Sequence, residues 1–346
     1  MTVGLADPID LAGVYLLISG VPVVARDVST VQIGGEPPHW LLLQQAPENA
    51  VQILRHLDGT SRVRDVLRAH SADPALWQEL LTRLRDAHFL VEATEWTFPG
   101  VPAGPLLEPE RDSLVHRHGV AVARRILQAR QDAVVVVRGG GRIASAVAGA
   151  LAASGVGHVH QQPDRDLRIS GLPESERADS AALAANLRLV APAVRVHAPA
   201  AHHQVDLVIL CGDGPPAPSL AAELTAAGIP HLAVRAGLIS AVVGPFVLPG
   251  RSACLMCATR QRTDVDVGWP TFQAGLRREP IVPPARLVCA AAALAISDAL
   301  DQLDGATVPS TLGGTVEWTL GQLGPRRRSW SMHPECGCRR GRPAPE

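Results

Sequence analysis

The sequence predicts an α/β chain in two parts: a small winged-helix unit, then an open doubly wound sheet closed by a structural metal site. Three observations predict it. Ala133-Val-Val-Val-Val137 is uninterrupted apolar sequence, as in a strand buried on both faces of a parallel sheet. It runs directly into Gly139-Gly-Gly141-Arg-Ile-Ala144, a glycine turn opening an alanine-rich helix, in the GxGxxA form of the dinucleotide fingerprint. Near the C-terminal end stand two close cysteine pairs, Cys254-Leu-Met-Cys257 and Cys336-Gly-Cys338, the arrangement a tetrahedral zinc-thiolate site needs.

The first domain is expected over residues 1–93. Val21–Ala25, Thr30–Gly34 and His39–Leu43 are short strand candidates, separated by Asp27, Ser29 and the Gly34-Gly35-Glu36-Pro37-Pro38 cluster. Helical spacing follows in Val51, Leu54 and Leu57, then in Val63, Val66 and Leu67, then in Leu76, Leu80, Leu81 and Leu84. Asp73-Pro74 supplies a cap and a first-turn proline for the last of these. Phe89-Leu90-Val91 reads as a closing strand, and residues 94–111, with Pro99, Gly100, Pro102, Gly104 and Pro105, as a linker.

The second domain is expected over residues 112–346. A helix from Asp112 to Gln131 precedes the apolar strand, and further strands are expected at His158–Gln161, Val194–Ala198, Asp206–Cys211 and His231–Val234, with a helix at Pro218–Gly228. This alternation indicates a doubly wound sheet. An irregular stretch is expected from Cys257 to Pro284, then a helix from Ala285 to Leu303, then strands at Thr315–Leu320 and Ser329–Met332.

Composition excludes several functions. Hydrophobic residues make up 47% of 346, ample for a sizeable core, and a net charge of −1 gives no electrostatic footprint for nucleic acid. The Arg326-Arg327-Arg328 and Arg339-Arg340 clusters read as solvated ends. All 32 basic residues are arginine, so no mechanism that requires lysine can run. The uncharged stretch Leu11–Ala25 follows Asp7 and Asp10 and no basic residue, which argues against a signal peptide. No run has the length of a membrane span, and a cytoplasmic protein is expected. The four paired cysteines leave no open coordination position, so the zinc would be structural; disulfides are the competing assignment, with poorly spaced vicinal pairs. Cys211 and Cys289 sit in apolar runs, as ordinary buried thiols do.

The glycine turn, Gly155-Val156-Gly157, the strand ending Leu210-Cys211-Gly212-Asp213, and Pro249-Gly250-Arg-Ser-Ala-Cys254-Leu-Met-Cys257 together resemble the ThiF/MoeB and ubiquitin-activating-enzyme superfamily. Its members adenylate a C-terminal carboxylate on a partner protein and carry a structural zinc on two cysteine pairs. The resemblance covers roughly Ala133 to Cys338 and implies a Rossmann-like domain with a nucleotide site at Gly139, Gly141, Ala144 and Asp213, the last matching the family's magnesium-binding aspartate. Several phosphate-handling groups are missing. Gln162-Pro163 stands where the ribose-binding acid belongs, with Asp164 and Asp166 displaced, and neither Arg130-Gln131 nor Arg260-Gln261 falls at the family's arginine motif. Phosphoryl chemistry is nearly all positioning and charge neutralisation. The nucleotide site is therefore expected to be vestigial, with no catalytic residue and no bound ATP or magnesium.

Val31-Gln-Ile33-Gly34, Pro37-Pro38-His-Trp40-Leu-Leu-Leu43 and Leu57-Asp58-Gly59-Thr60 resemble the PqqD-like peptide-binding domain of ribosomally synthesised peptide pathways. That resemblance implies strand addition, in which main-chain hydrogen bonds give affinity and alternate pockets give selectivity. The implied leader-binding residues are His39, Trp40, Leu41, Leu42 and Leu43 against Leu76, Leu80, Arg83 and Leu84, most of which must also serve the core.

Fusion of the two domains resembles the partner proteins of YcaO cyclodehydratases, helped by Arg262-Thr-Asp264-Val-Asp266-Val-Gly-Trp269-Pro270 and His333-Pro-Glu-Cys336-Gly-Cys338. His333 is expected to be a turn residue beside the thiolates. The implied function is to bind a precursor's leader and present its core to a YcaO-type enzyme acting in trans, with a homodimer left open. An adenylyltransferase acting on a carrier protein or peptide carboxylate is the alternative. A NAD-linked oxidoreductase is disfavoured, since it leaves the cysteines unexplained.

Overall fold

The computed structural model describes residues 7–35, 39–102, 104–139, 141–163, 180–200, 203–212, 214–276 and 281–338. The chain divides into two compact units, Met1–Leu127 and Gln128–Glu346. The division falls inside a helix, downstream of the linker expected from the proline and glycine content.

The first unit holds two three-stranded sheets. Strands β2 (Val23–Ala25), β3 (Thr30–Gly34) and β4 (Trp40–Gln44) form an antiparallel meander, with Val31 opposite Leu43 and Ile33 opposite Leu41. In the second sheet, β1 (Val14–Leu17) lies between β5 (Asp58–Arg62) and β6 (Leu90–Glu92). Strands β1 and β5 are additions to the sequence expectation. The segment Asp58-Gly-Thr-Ser-Arg62 is polar and mostly exposed, and only its backbone pairing with β1 makes it a strand. Helices α1 (Ala50–Arg55), α2 (Val63–Ala69) and α3 (Pro74–Asp86) bury Ile53, Leu54, Val66, Leu67, Trp77, Leu81 and Leu84 against these sheets. Asp73 caps α3 by accepting from the Ala75 N–H at 3.0 Å.

The helix expected over 112–131 is two, α4 (Glu108–His118) and α5 (Val120–Asp132). Gly119 separates them at φ +78°, a conformation that ends a helix and suits glycine. Leu114, Val115, Ala123 and Ile126 from these helices pack with Ile18 and Val91.

The second unit is a seven-stranded sheet in the order β13-β12-β11-β10-β9-β7-β8. Strands β7 (Val134–Arg138), β8 (His158–Gln162), β9 (Leu207–Gly212) and β10 (His231–Ala236) are parallel. Beyond them β11 (Ser240–Val247), β12 (Gly314–Thr319) and β13 (Arg326–Ser329) add antiparallel, so the sheet is mixed. One face, with Val135, Val137, Ile209, Leu232 and Val234, is covered by α6 (Arg142–Ala153), α7 (Ser180–Val190) and α11 (Ala285–Asp304). On the other face Val136, Val208 and Leu210 pack with Leu224 of α8 (Pro218–Ala226).

The expected strand at Val194–Ala198 is only a bridge. Arg195 exchanges backbone hydrogen bonds with Gly157 and Val159, and Pro192 and Pro199 limit further pairing. The stretch expected to be irregular holds α9 (Leu255–Val265) and α10 (Trp269–Leu276), Pro270 sitting harmlessly in the first turn of α10. Among the described residues no helix is long and apolar enough to cross a membrane.

Two buried polar contacts lock the helices in place. Arg130, only 3% exposed, forms a bidentate pair with Asp304 at 2.8 Å for both bonds and donates to the Ser154 carbonyl at 2.9 Å. Asp298 of α11 accepts from the backbone N–H groups of Ser310 and Thr311 and from the Thr311 hydroxyl, fixing the loop before β12. Removing one partner of a buried pair strands the other charge, so Arg130→Ala should lose about 3–5 kcal/mol in chemical denaturation. Arg130→Met combined with Asp304→Leu should lose less. Equal losses would contradict the ion-pair account.

Candidate metal centre and peptide-binding strand

Cys254 is the N-cap of α9 and Cys257 lies in its first turn, so both thiols stand at the positive end of a helix. Cys336 and Cys338 follow β13 on a turn closed by the Cys336 N–H donating to the His333 carbonyl at 3.0 Å. The structure brings all four sulfurs within 4.8 Å of one another. The Cys254–Cys257 and Cys254–Cys336 separations are 3.6 Å and the Cys257–Cys338 separation is 3.5 Å. A tetrahedral ion with bonds of about 2.3 Å sets sulfur–sulfur edges of about 3.8 Å, whereas a disulfide requires about 2.05 Å. The donor set fits one thiophilic cation.

The charges of the thiols fit the same conclusion. The hydrogen bond from the Cys254 thiol holds Cys257 down to about 4. That same bond, and then burial, pushes Cys254 up, while burial followed by the bond to Cys257 pushes Cys338 up to about 12. Thiols crowded this closely repel one another once ionised, and a bound cation would offset that repulsion.

Helix α9 and the C-terminal segment are held together beyond the sulfurs. Gln261 donates to the Ser331 carbonyl at 2.5 Å, and Arg260 reaches Glu335 at 3.5 Å. The His333 Nδ1 accepts from the Glu335 N–H at 3.2 Å, which assigns the proton to Nε2, 3.1 Å from Asp264. His333 thus supports the turn that carries Cys336. Of the other cysteines, Cys211 is buried, and burial raises its thiol, but Cys289 is exposed on α11, against expectation.

At the glycine turn, Gly139 has φ +133°, and a Cβ there would collide with the Cys211 carbonyl, so glycine is needed for strand and turn to approach. Gly141 caps α6 with open space over its Cα, and Ala144 is buried in the helix. Asp213 lies outside the described residues, as do Asp164 and Asp166. Gln162 is exposed at the end of β8, and Arg130 and Arg260 are engaged with Asp304 and Glu335. Arg138, at the end of β7, has a buried Nε without a hydrogen-bond partner among the described residues, a feature the sequence did not single out.

In the first unit β4 pairs only with β3 among the described residues, which leaves its other edge open. His39 and Leu42 are exposed on this segment, Trp40 and Leu41 are half-buried, and Leu43 belongs to the core. On α3, Leu76 is exposed, Leu80 half-buried and Leu84 fully buried. Arg83 is exposed and pairs with Glu79 at 2.6 Å. Leu43 and Leu84 therefore support the surface from beneath, and of the leucines in this set Leu42 and Leu76 are exposed.

Metal analysis of protein purified without chelator should find about one ion per chain, zinc being expected for a tetrathiolate. Cys336→Ser should abolish that stoichiometry and lower the melting temperature. Metal-free protein with an unchanged melting temperature would contradict the site.

No family profile and no curated protein matches the sequence. Solved structures do resemble it. Escherichia coli MccB with ATP aligns over 94% of this chain and 99% of its own, with 16% identity and TM-score 0.60. The microcin C7 biosynthetic enzyme MccB in complex with N-formylated MccA gives 18% identity and TM-score 0.59, with the same 94% and 99% coverage. PaaA gives 15% identity and TM-score 0.63 over 90% of this chain and 99% of its own. At such identity the likeness is one of fold.

Proposed function

We propose that this protein captures the leader segment of a ribosomally made precursor peptide on the open edge of β4. It then presents the remainder of the peptide to a separate YcaO-type cyclodehydratase for azoline formation, without adenylating the peptide itself. The observation that carries this is β4 itself, an apolar strand that among the described residues pairs on one side only, with Leu42 exposed on it and Leu76 exposed on α3 of the same unit. An added strand would find main-chain partners along β4 and apolar side chains to sort its own. The resemblance of the first domain's sequence to PqqD-like domains and the solution of MccB with MccA support a peptide as the ligand. The tetrathiolate serves as a structural zinc site, since all four positions are taken by protein ligands.

The alternative is adenylation of a carrier or peptide carboxylate. It is favoured by the solution of MccB with ATP, by the open space over Gly141 and by the unpartnered Nε of Arg138. Against it stand the lack of lysine, the glutamine in place of the ribose-binding acid, and the engagement of Arg130 and Arg260 elsewhere. What remains at the turn is the amino end of α6, which attracts phosphate but does not neutralise a triphosphate.

Fluorescence anisotropy with the labelled cognate precursor should show Leu42→Asp and Leu76→Asp weakening binding by about tenfold or more, with metal content and melting temperature kept. Arg83→Glu should weaken it less, as expected for an exposed position at the margin. Undiminished binding by all three would refute the β4 site. Pyrophosphate exchange with ATP should be absent with and without precursor; measurable exchange would establish the alternative.

A further inference from the structure

Beyond the leader surface, the second unit contains a small cavity of about 50 Å³ built between the carboxyl end of β10, β11 and helices α8, α9 and α10. Two guanidinium side chains, Arg235 and Arg262, line it. Neither makes a hydrogen bond or ion pair within the described residues, although both are largely withdrawn from water. Burial, and then repulsion by Arg235 and Arg328, holds Arg262 down to about 10, which records two like charges confined together. Glu317 is the one acid that offsets them, and it lies 3.8 Å from Arg328. The pair is therefore undercompensated.

The site is also built to hold one of these groups still. The Arg262 guanidinium lies 5.0 Å from the centre of the Trp269 ring and 4.4 Å from that of Trp330, and the Trp330 Nε1 is fixed by Thr315 at 3.3 Å. Stacking on aromatic faces fixes the orientation of the guanidinium and leaves its N–H edges free for an anion. Pro215, Pro216 and Pro218 form part of the wall, with Leu255 and Met256. Pro215, Pro216 and Pro218 have no N–H, so their part of the wall offers no backbone donors. An apolar wall with two arginine forks instead suits a short aliphatic stem ending in a carboxylate.

We propose that Arg235 and Arg262 form a binding site for the side-chain carboxylate of an acidic residue in a peptide, distinct from the β4 surface and independent of whether a leader binds there. The probe is N-acetyl-glutamate amide, titrated at constant ionic strength and read by the fluorescence of the tryptophans flanking Arg262. The full-length protein should show saturable binding, and N-acetyl-glutamine amide, of the same shape without the charge, should not bind. Arg235→Gln and Arg262→Gln should each weaken the acidic probe at least about tenfold, while Arg328→Gln has little effect. Arg235→Gln does not disturb the tryptophan stack and so tests the site even if Arg262→Gln fails to fold. Equal binding of the acidic and neutral probes would overturn the proposal. So would an affinity indifferent to Arg235, or tighter arginine-dependent binding of inorganic phosphate.

Discussion

The contact between two cysteine pairs is what the carboxyl-terminal part of the second unit depends on. Strand β13 is exposed along its whole length and consists of Arg326-Arg-Arg-Ser329, so hydrophobic burial contributes little to holding it. Beyond it the chain turns back to α9, and there the four sulfurs, the Gln261–Ser331 bond and the His333–Asp264 contact converge. An ion bound by these sulfurs would concentrate in one place the binding energy that a long apolar interface would otherwise have to supply. Helix α9 carries both Cys257 and Arg262, so the cysteine cluster and the cavity beside β10 share one element.

The free edges of the two units differ in a way that directs strand addition. The outermost strand β13 presents consecutive arginines, and like charges along an edge discourage another strand from pairing. Strand β4, Trp40-Leu-Leu-Leu-Gln44, contains no charged residue, so the same main-chain groups stand there without a charge barrier. The glycine turn after β7 retains the shape of a nucleotide-binding loop, because Gly139 is required for its approach to β9 whether or not a ligand is bound. Arg235, two strands away on the same sheet, lines a cavity walled in part by prolines.

Local signals were legible in the sequence where one segment specifies its own structure. The valine run, the glycine turn, the Asp73 cap and the two cysteine pairs all stand where expected, because strand, turn, cap and ligand spacing are set within a few residues. Structure imposed by distant partners was not legible. Strand β5 is polar and owes its conformation to β1, and β11 extends the parallel sheet antiparallel through pairing with β10 and β12. The helix break at Gly119 lay within otherwise continuous helical sequence. At the candidate surface, sequence spacing could not separate Leu84, fully buried, from Leu76, exposed, since both occur on an apolar helix. Arg235 carried no motif and Arg262 stood in a segment read for another reason; only the fold brings them to one cavity.

The claim at the centre of this account is that an extended peptide adds to β4. Hydrogen exchange of the full-length protein with and without its precursor reads that event directly, because a new strand protects the amides it pairs with. The account predicts protection concentrated in residues 40–44, with a smaller effect on α3 and none at the glycine turn after β7. Protection confined to residues 139–144 and the ends of β9 and β10, with β4 unchanged, would contradict it.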